Sequence, residues 1–237
     1  MPIPKKFSIL TQPDDNTCGP TCLHAIYNHY GDKLKMEQVI KECASLKEGG
    51  TLAVLLALHA LKRGYTAKIY TYNLHVFDPS WFPGNNILLA DKLKKQMKYK
   101  KSKKIRAASK AYIEFLKLGG KIIFEDLTRS LIRNYLSHET PILTGLSSTY
   151  LYRAMREYGK KDRDDDLRGD PMGHFVILHD YHRDTKYISV ADPYSKNPVS
   201  RKNNYAVHID RVIGAILLGI ITYDANLLII TPEKKNQ

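Results

Sequence analysis

The chain reads as a mixed fold of helices and strands, on three observations. Residues 18–64 carry apolar side chains at three- and four-residue spacing. Residues 173–194 hold two strand-like runs around a polar turn, and residues 212–231 are apolar but split by Tyr223-Asp224-Ala225-Asn226. The first is the period of amphipathic helices and the second a β-hairpin. The third is two short buried elements joined by a turn, and no membrane span.

With 237 residues and 43% hydrophobic content, the chain is long enough for one substantial core. A single domain is expected, with a basic, mobile insertion over about 91–170. Three cysteines make no disulfide framework, which points to a reducing compartment. No long apolar region follows the N-terminal charges, so a secretory signal is not expected and a soluble, cytoplasmic protein is. The net charge of +13 favours an anionic partner, but its distribution is uneven. Between Lys92 and Lys110 stand ten Lys or Arg and no acid. Their plainest reading is a solvated helix face or a lid; the alternative is a patch for nucleic acid or an acidic partner.

Taken in order, Leu23, Ile26, Tyr27 and Tyr30 give the first helix its apolar face and Gly31 its end. Asn16 or Thr17 is the expected cap. Met36 to Ala44 is a short second helix. Thr51 is the expected cap of a leucine-rich third one that stops at Gly64, with His59 a core or boundary histidine. Thr66 to Tyr72 has strand composition, and 73–86 is a loop anchored by Trp81. Residues 91–118 form one basic helical stretch, broken by Gly119-Gly120. Lys121 to Phe124 is a strand, Asp126 to Leu136 a helix and Pro141 to Leu146 a strand. The mixed-charge run Lys160 to Asp170 has no apolar pattern and is expected exposed and mobile. Its Asp164-Asp165-Asp166 lacks a calcium-loop glycine and is read as solvated.

Chemistry concentrates at two places. Cys18 falls at the start of the first helix, where the dipole and the free N–H groups of the first turn favour a nucleophilic thiolate. Pro20 suits that turn, having no N–H to leave unpaired. Six positions upstream, Gln12 offers a side-chain amide that, with the Cys18 N–H, makes an oxyanion hole. Alone, such a cysteine is more often a small buried residue. Cys22, one turn on, and Cys43 are read as core, with a resolving-thiol role for Cys22 the lesser reading.

The hairpin supplies the missing groups. A turn near residue 184 brings His174, at the start of one strand, within a few residues of Asp192 at the end of the next. Phe175 to Leu178 is continuously apolar, as in a strand buried on both faces, so His174 sits at the edge of the core. A strand-capping histidine and a turn-starting Asp-Pro are the plain alternatives. With Cys18 and Gln12 the two complete a nucleophile, base, orienter and oxyanion donor. A metal site through His174, His179 and His182 is disfavoured, because positions 174 and 179 face opposite sides of a strand.

Gln12, Cys18-Gly19, Gly173-His174 and Asp192-Pro193 together resemble the papain-like cysteine peptidases that remove double-glycine leader peptides from bacteriocins, in a stand-alone relative without the exporter's membrane span or Walker-type phosphate loop. The resemblance covers about 8–30 and 170–232. It implies an α+β fold in which the nucleophile helix and a helical lobe pack on an antiparallel sheet carrying His and Asp. It also implies Cys18 as nucleophile, His174 as base, Asp192 as third member and Gln12 as oxyanion donor. A thiol peptidase or amidase acting on a peptide or amide, with no cofactor and no metal, is the expected function. The alternatives are an acyltransferase sharing its acyl-thioenzyme, and a non-catalytic binding module using residues 92–110.

Overall fold

The computed structural model describes residues 6–46, 50–83, 86–159 and 162–233. In chain order the elements are α1 (Cys18–His29), α2 (Met36–Glu42), α3 (Ala53–Lys62), β1 (Tyr65–Thr71), α4 (Asn86–Tyr99), α5 (Lys103–Lys117), β2 (Lys121–Ile123) and α6 (Arg129–Ser137). There follow β3 (Ile142–Ser147), α7 (Ser148–Tyr152), β4 (Glu157–Tyr158), β5 (Arg163–Asp164), β6 (Gly173–His182), β7 (Tyr187–Ala191), β8 (Asn204–His208), α8 (Ile209–Leu218) and β9 (Asn226–Pro232). Seven strands form one sheet in the order β2-β1-β9-β3-β6-β7-β8; only β1 and β2 run parallel. This is the expected α+β class, with the cysteine helix packed on an antiparallel sheet.

Both faces of the sheet are covered, and the strands alternate accordingly. Leu143, Phe175, Ile177, Leu228 and Ile230 pack on one side with residues of α1, α3, α4 and α5. Ile142, Leu146, Val176, Leu178, Leu227 and Ile229 pack on the other with residues of α6, α7 and α8. Successive side chains point to opposite faces, so a strand covered on both has no place for a polar residue, which accounts for the unbroken apolar run in β6.

Several local expectations need correction. Thr51 does not cap the third helix, which starts at Ala53; its hydroxyl donates to the Ala44 carbonyl at 3.0 Å. The basic stretch is two helices packed on each other, because Ser102 interrupts it and caps α5 by accepting from the Ile105 N–H at 3.4 Å. The sixth helix starts at Arg129 behind a Thr128 cap, not at Asp126. Residues 160 and 161 of the mixed-charge run lie outside the described residues. The rest is mostly exposed, as expected; it carries the β5 strand paired with β4, and Asp165 accepts the Leu167 and Arg168 N–H groups at 3.0 and 2.8 Å.

What the fold does for the site is bring three distant segments to one end of the sheet. Gly19 has no Cβ to hold α1 away; a Cβ there would lie 2.5 Å from the Thr51 methyl and 3.3 Å from the Phe175 ring. The start of α1 therefore seats directly on the start of β6.

Candidate active site

Cys18 is the first residue of α1, so its N–H is among those a helix leaves without an internal partner. Thr17 was the expected cap, but its side chain makes no cap bond to the helix. Asp14 engages it instead: the Thr17 hydroxyl donates to the Asp14 carbonyl at 3.0 Å and accepts from the Asp14 N–H at 3.4 Å. The helix start is thus left to bind something else.

His174, at the second position of β6, is buried and lies where the Cys18 side chain influences its ring. Its Nε2 bonds Asp192 Oδ1 at 2.8 Å, which leaves Nδ1 as the ring nitrogen for the sulfur. The pairing follows from the register of the hairpin: Ile177 faces Ala191, so the strand start and the residue after the strand end meet across the ladder.

Asp192 is fully buried and fully partnered. Its Oδ1 also accepts the Tyr194 N–H at 2.8 Å, and its Oδ2 accepts the hydroxyls of Tyr152 and Tyr205, both at 2.7 Å. Burial works to raise its pKa, but the His174 ring and the two tyrosines outweigh it and hold the carboxyl below its ordinary value. For His174 burial likewise opposes the charged ring; Asp192 and then Cys18 prevail and push it up to about 10. An imidazolium between a carboxylate and a sulfur is the arrangement these opposing effects favour.

Gln12 is tied to the same place from the N-terminal side. Its backbone N–H donates to the Pro193 carbonyl at 2.9 Å, next to Asp192 in sequence. One side-chain N–H donates to the Asp14 carbonyl at 2.9 Å, which fixes the amide and leaves its second N–H available. Of the residues expected together from sequence, His174 and Asp192 are bonded directly, Cys18 influences the His174 ring, and Gln12 joins them through its backbone bond to Pro193. Tyr152 and Tyr205 join it from α7 and β8 with no sequence signal beyond being two of sixteen tyrosines.

Other residues singled out from sequence do other things. Cys22 is fully buried and donates its thiol to the Phe175 carbonyl at 3.3 Å; burial raises it well above an ordinary thiol, and the charge of Cys18 adds to that. Cys43, also free, is pushed up to about 12 by burial. His59 spans Tyr27 at 2.7 Å and Glu42 at 3.1 Å. His182 bonds Ser189. Among the described residues no group of His, Cys, Asp and Glu has the makings of a metal site, and no helix is long and apolar enough to cross a membrane.

Residues 4–211 match a single family description. The chain belongs to the Peptidase_C39 like family. The match runs through the central residues 90–170 as well as through the two segments that carry the site. Among solved structures, this family member is similar to the peptidase domain of Streptococcus ComA, a bi-functional ABC transporter of a quorum-sensing pathway. That likeness has 13% identity, covers 96% of this chain and 100% of the other, and has a TM-score of 0.45. A C39-like peptidase from Bacillus anthracis is 10% identical over 97% of this chain and 96% of its own, with a TM-score of 0.43. Xylellain, a cysteine protease from Xylella fastidiosa, is 13% identical over 97% and 84%, with a TM-score of 0.42. Comparison with curated proteins finds no match.

Proposed function

We propose that this C39-like family member is a thiol peptidase acting through Cys18, His174 and Asp192, with Gln12 as oxyanion donor. The observation that carries the reading is the buried His174 ring, bonded to a carboxylate that four donors hold and influenced on its other side by the Cys18 side chain.

In the reaction this geometry supports, the Cys18 thiol gives its proton to His174. The sulfur attacks the peptide carbonyl carbon, a C–S bond forms, and the carbonyl π pair moves to oxygen. The Cys18 N–H and the free N–H of Gln12 receive that oxyanion. On collapse the C–N bond breaks and His174 gives its proton to the departing amine. Water then attacks the thioester while neutral His174 takes its proton and a C–O bond forms; on collapse the C–S bond breaks, the acid leaves, and the sulfur takes the proton back from the ring. Asp192 holds the ring in the orientation both steps need.

The test is Cys18→Ala. Its loss of peptide hydrolysis and of labelling by iodoacetamide at the active thiol is expected, and retention of hydrolysis overturns the reading. Gln12→Ala is the graded companion, with kcat lower by about 100- to 1,000-fold as for other lost oxyanion donors.

A second reading keeps the acyl-thioenzyme and sends it to an amine. It is favoured by the low exposure of Cys18 and His174, 9% and 8%, which limits the water reaching the thioester. Products formed with and without added amines distinguish the two.

A further inference from the structure

Beside the proposed centre lies a second buried carboxyl that the chemistry above does not use. Asp224, in the turn leading into β9, is 6% exposed. Its Oδ2 is 3.2 Å from the Thr222 hydroxyl, and its Oδ1 is buried without a hydrogen-bond partner. A carboxyl oxygen stripped of water and given nothing in return is costly, and such exceptions call for a cause.

Its surroundings are built to hold it there. The carboxyl rests on Gly145 of β3 and Gly173 of β6, the residue before His174. A Cβ on Gly145 would lie 2.9 Å from Oδ1, and one on Gly173 2.8 Å from Oδ2. On either side Tyr223 and Ala225 take left-handed backbone, φ 70° and 53°, which non-glycine residues adopt at a cost. That turn is pinned from outside. Asn73 donates to the Tyr223 carbonyl at 2.9 Å, the Tyr72 N–H to the Ala225 carbonyl at 2.9 Å, and Asn226 to the Asp224 carbonyl at 2.7 Å. Two strained residues, two missing side chains and one orphaned oxygen meet at the edge of the site.

Among the described residues no cation is in contact with it. Lys104 of α5 is the nearby positive charge, but its ammonium donates to the Thr222 carbonyl at 3.2 Å and lies 4.5 Å over the Tyr223 ring. Among the described residues it forms no ion pair with Asp224. The other titratable groups acting on the carboxyl are His174 of β6 and Tyr112 of α5. Burial pushes Asp224 up to about 7, against the opposing influence of Lys104, so an arriving cation would find an acid poised to ionise.

We propose that Asp224 is a specificity-determining residue of this enzyme, receiving a lysine or arginine side chain of the substrate in a subsite bordered by Gly145, Gly173 and the Thr222–Tyr223 turn. The inference rests on the thiol-peptidase reading and adds the substrate's charge to it. A site with an unpaired buried acceptor discriminates strongly against a ligand that lacks the donor.

The experiment measures kcat/KM on a peptide series cleaved by the full chain, with lysine or uncharged norleucine placed in turn at each position within four residues of the scissile bond. At one position lysine is expected to win by at least about tenfold, and Asp224→Asn to bring that ratio near one. A ratio cancels any general loss of activity, and a circular-dichroism melt reports whether the variant folds. The wild-type ratio is itself decisive: no lysine preference at any position overturns the proposal. So does a preference that survives in Asp224→Asn. Absence of any Cys18-dependent cleavage overturns the peptidase reading as well, whereas Cys18-dependent cleavage with no charge preference overturns this inference alone.

Discussion

Asp192 is held more firmly than its place in the proposed triad requires, because each of its carboxyl oxygens has two donors. Tyr205→Phe removes one hydroxyl bonded to a buried carboxylate, and a loss of about 1–3 kcal/mol in chemical-denaturation stability is expected. The pH dependence follows from signs. His174 is raised in the folded state, so its stabilising share is full below the ordinary imidazole value of 6.5 and is lost as pH climbs through about 10. Asp192 is lowered, so its share is present above 3.8 and disappears as pH falls below that. Asp192→Asn leaves burial as the main influence on His174, and the alkaline limb of iodoacetamide labelling at Cys18 is expected to move to lower pH. The neighbourhood of Cys18, His174 and Asp192 was legible because a motif and a hairpin register are local patterns. Tyr152 and Tyr205 were not, since each is set against Asp192 by packing, 40 and 13 residues away. The Thr17 cap failed for a related reason: Asp14 competes for the same hydroxyl within one turn.

At the scale of elements, the contact between α1 and β6 sets the sulfur-to-ring geometry. Gly19→Ala forces a methyl into the Thr51 side chain, and overpacking of this kind costs about 1–3 kcal/mol. Activity is expected to fall with stability, since the displaced element bears Cys18. Thr51→Ser keeps the hydroxyl bond to Ala44 and deletes the offending methyl, so the double variant is expected to recover kcat/KM toward wild type. Periodicity identified α1, α2, α3 and β6 from sequence because each has one clear apolar pattern. It merged α4 with α5, since lysines flank the break at Ser102 on both sides and nothing but a single serine marks it. In the fold those lysines occupy the exposed face of helices whose Leu93 and Phe115 are fully buried.

For the whole molecule, those two buried residues lie in the same core as Leu23, Ile26 and Leu56 of the cysteine-bearing side. Urea unfolding followed by tryptophan fluorescence and by circular dichroism is therefore expected to give coincident, single transitions, and removal of residues 86–118 to abolish folding rather than trim it. The sheet order has a further consequence, for the timing of synthesis. Strand β9 is the last strand of the sheet to be made, yet it lies between β1 and β3, joining the half of the sheet begun by β1 to the half that carries His174. Until residues 226–232 emerge from the ribosome, the nascent chain holds two unjoined sheet edges and an incomplete platform for α1. Long-range pairing of this sort is slow to form and exposes strand edges while it waits. It also means that Cys18 meets His174 on a finished sheet only after residues 226–232 have been made, so the proposed centre is completed late in synthesis.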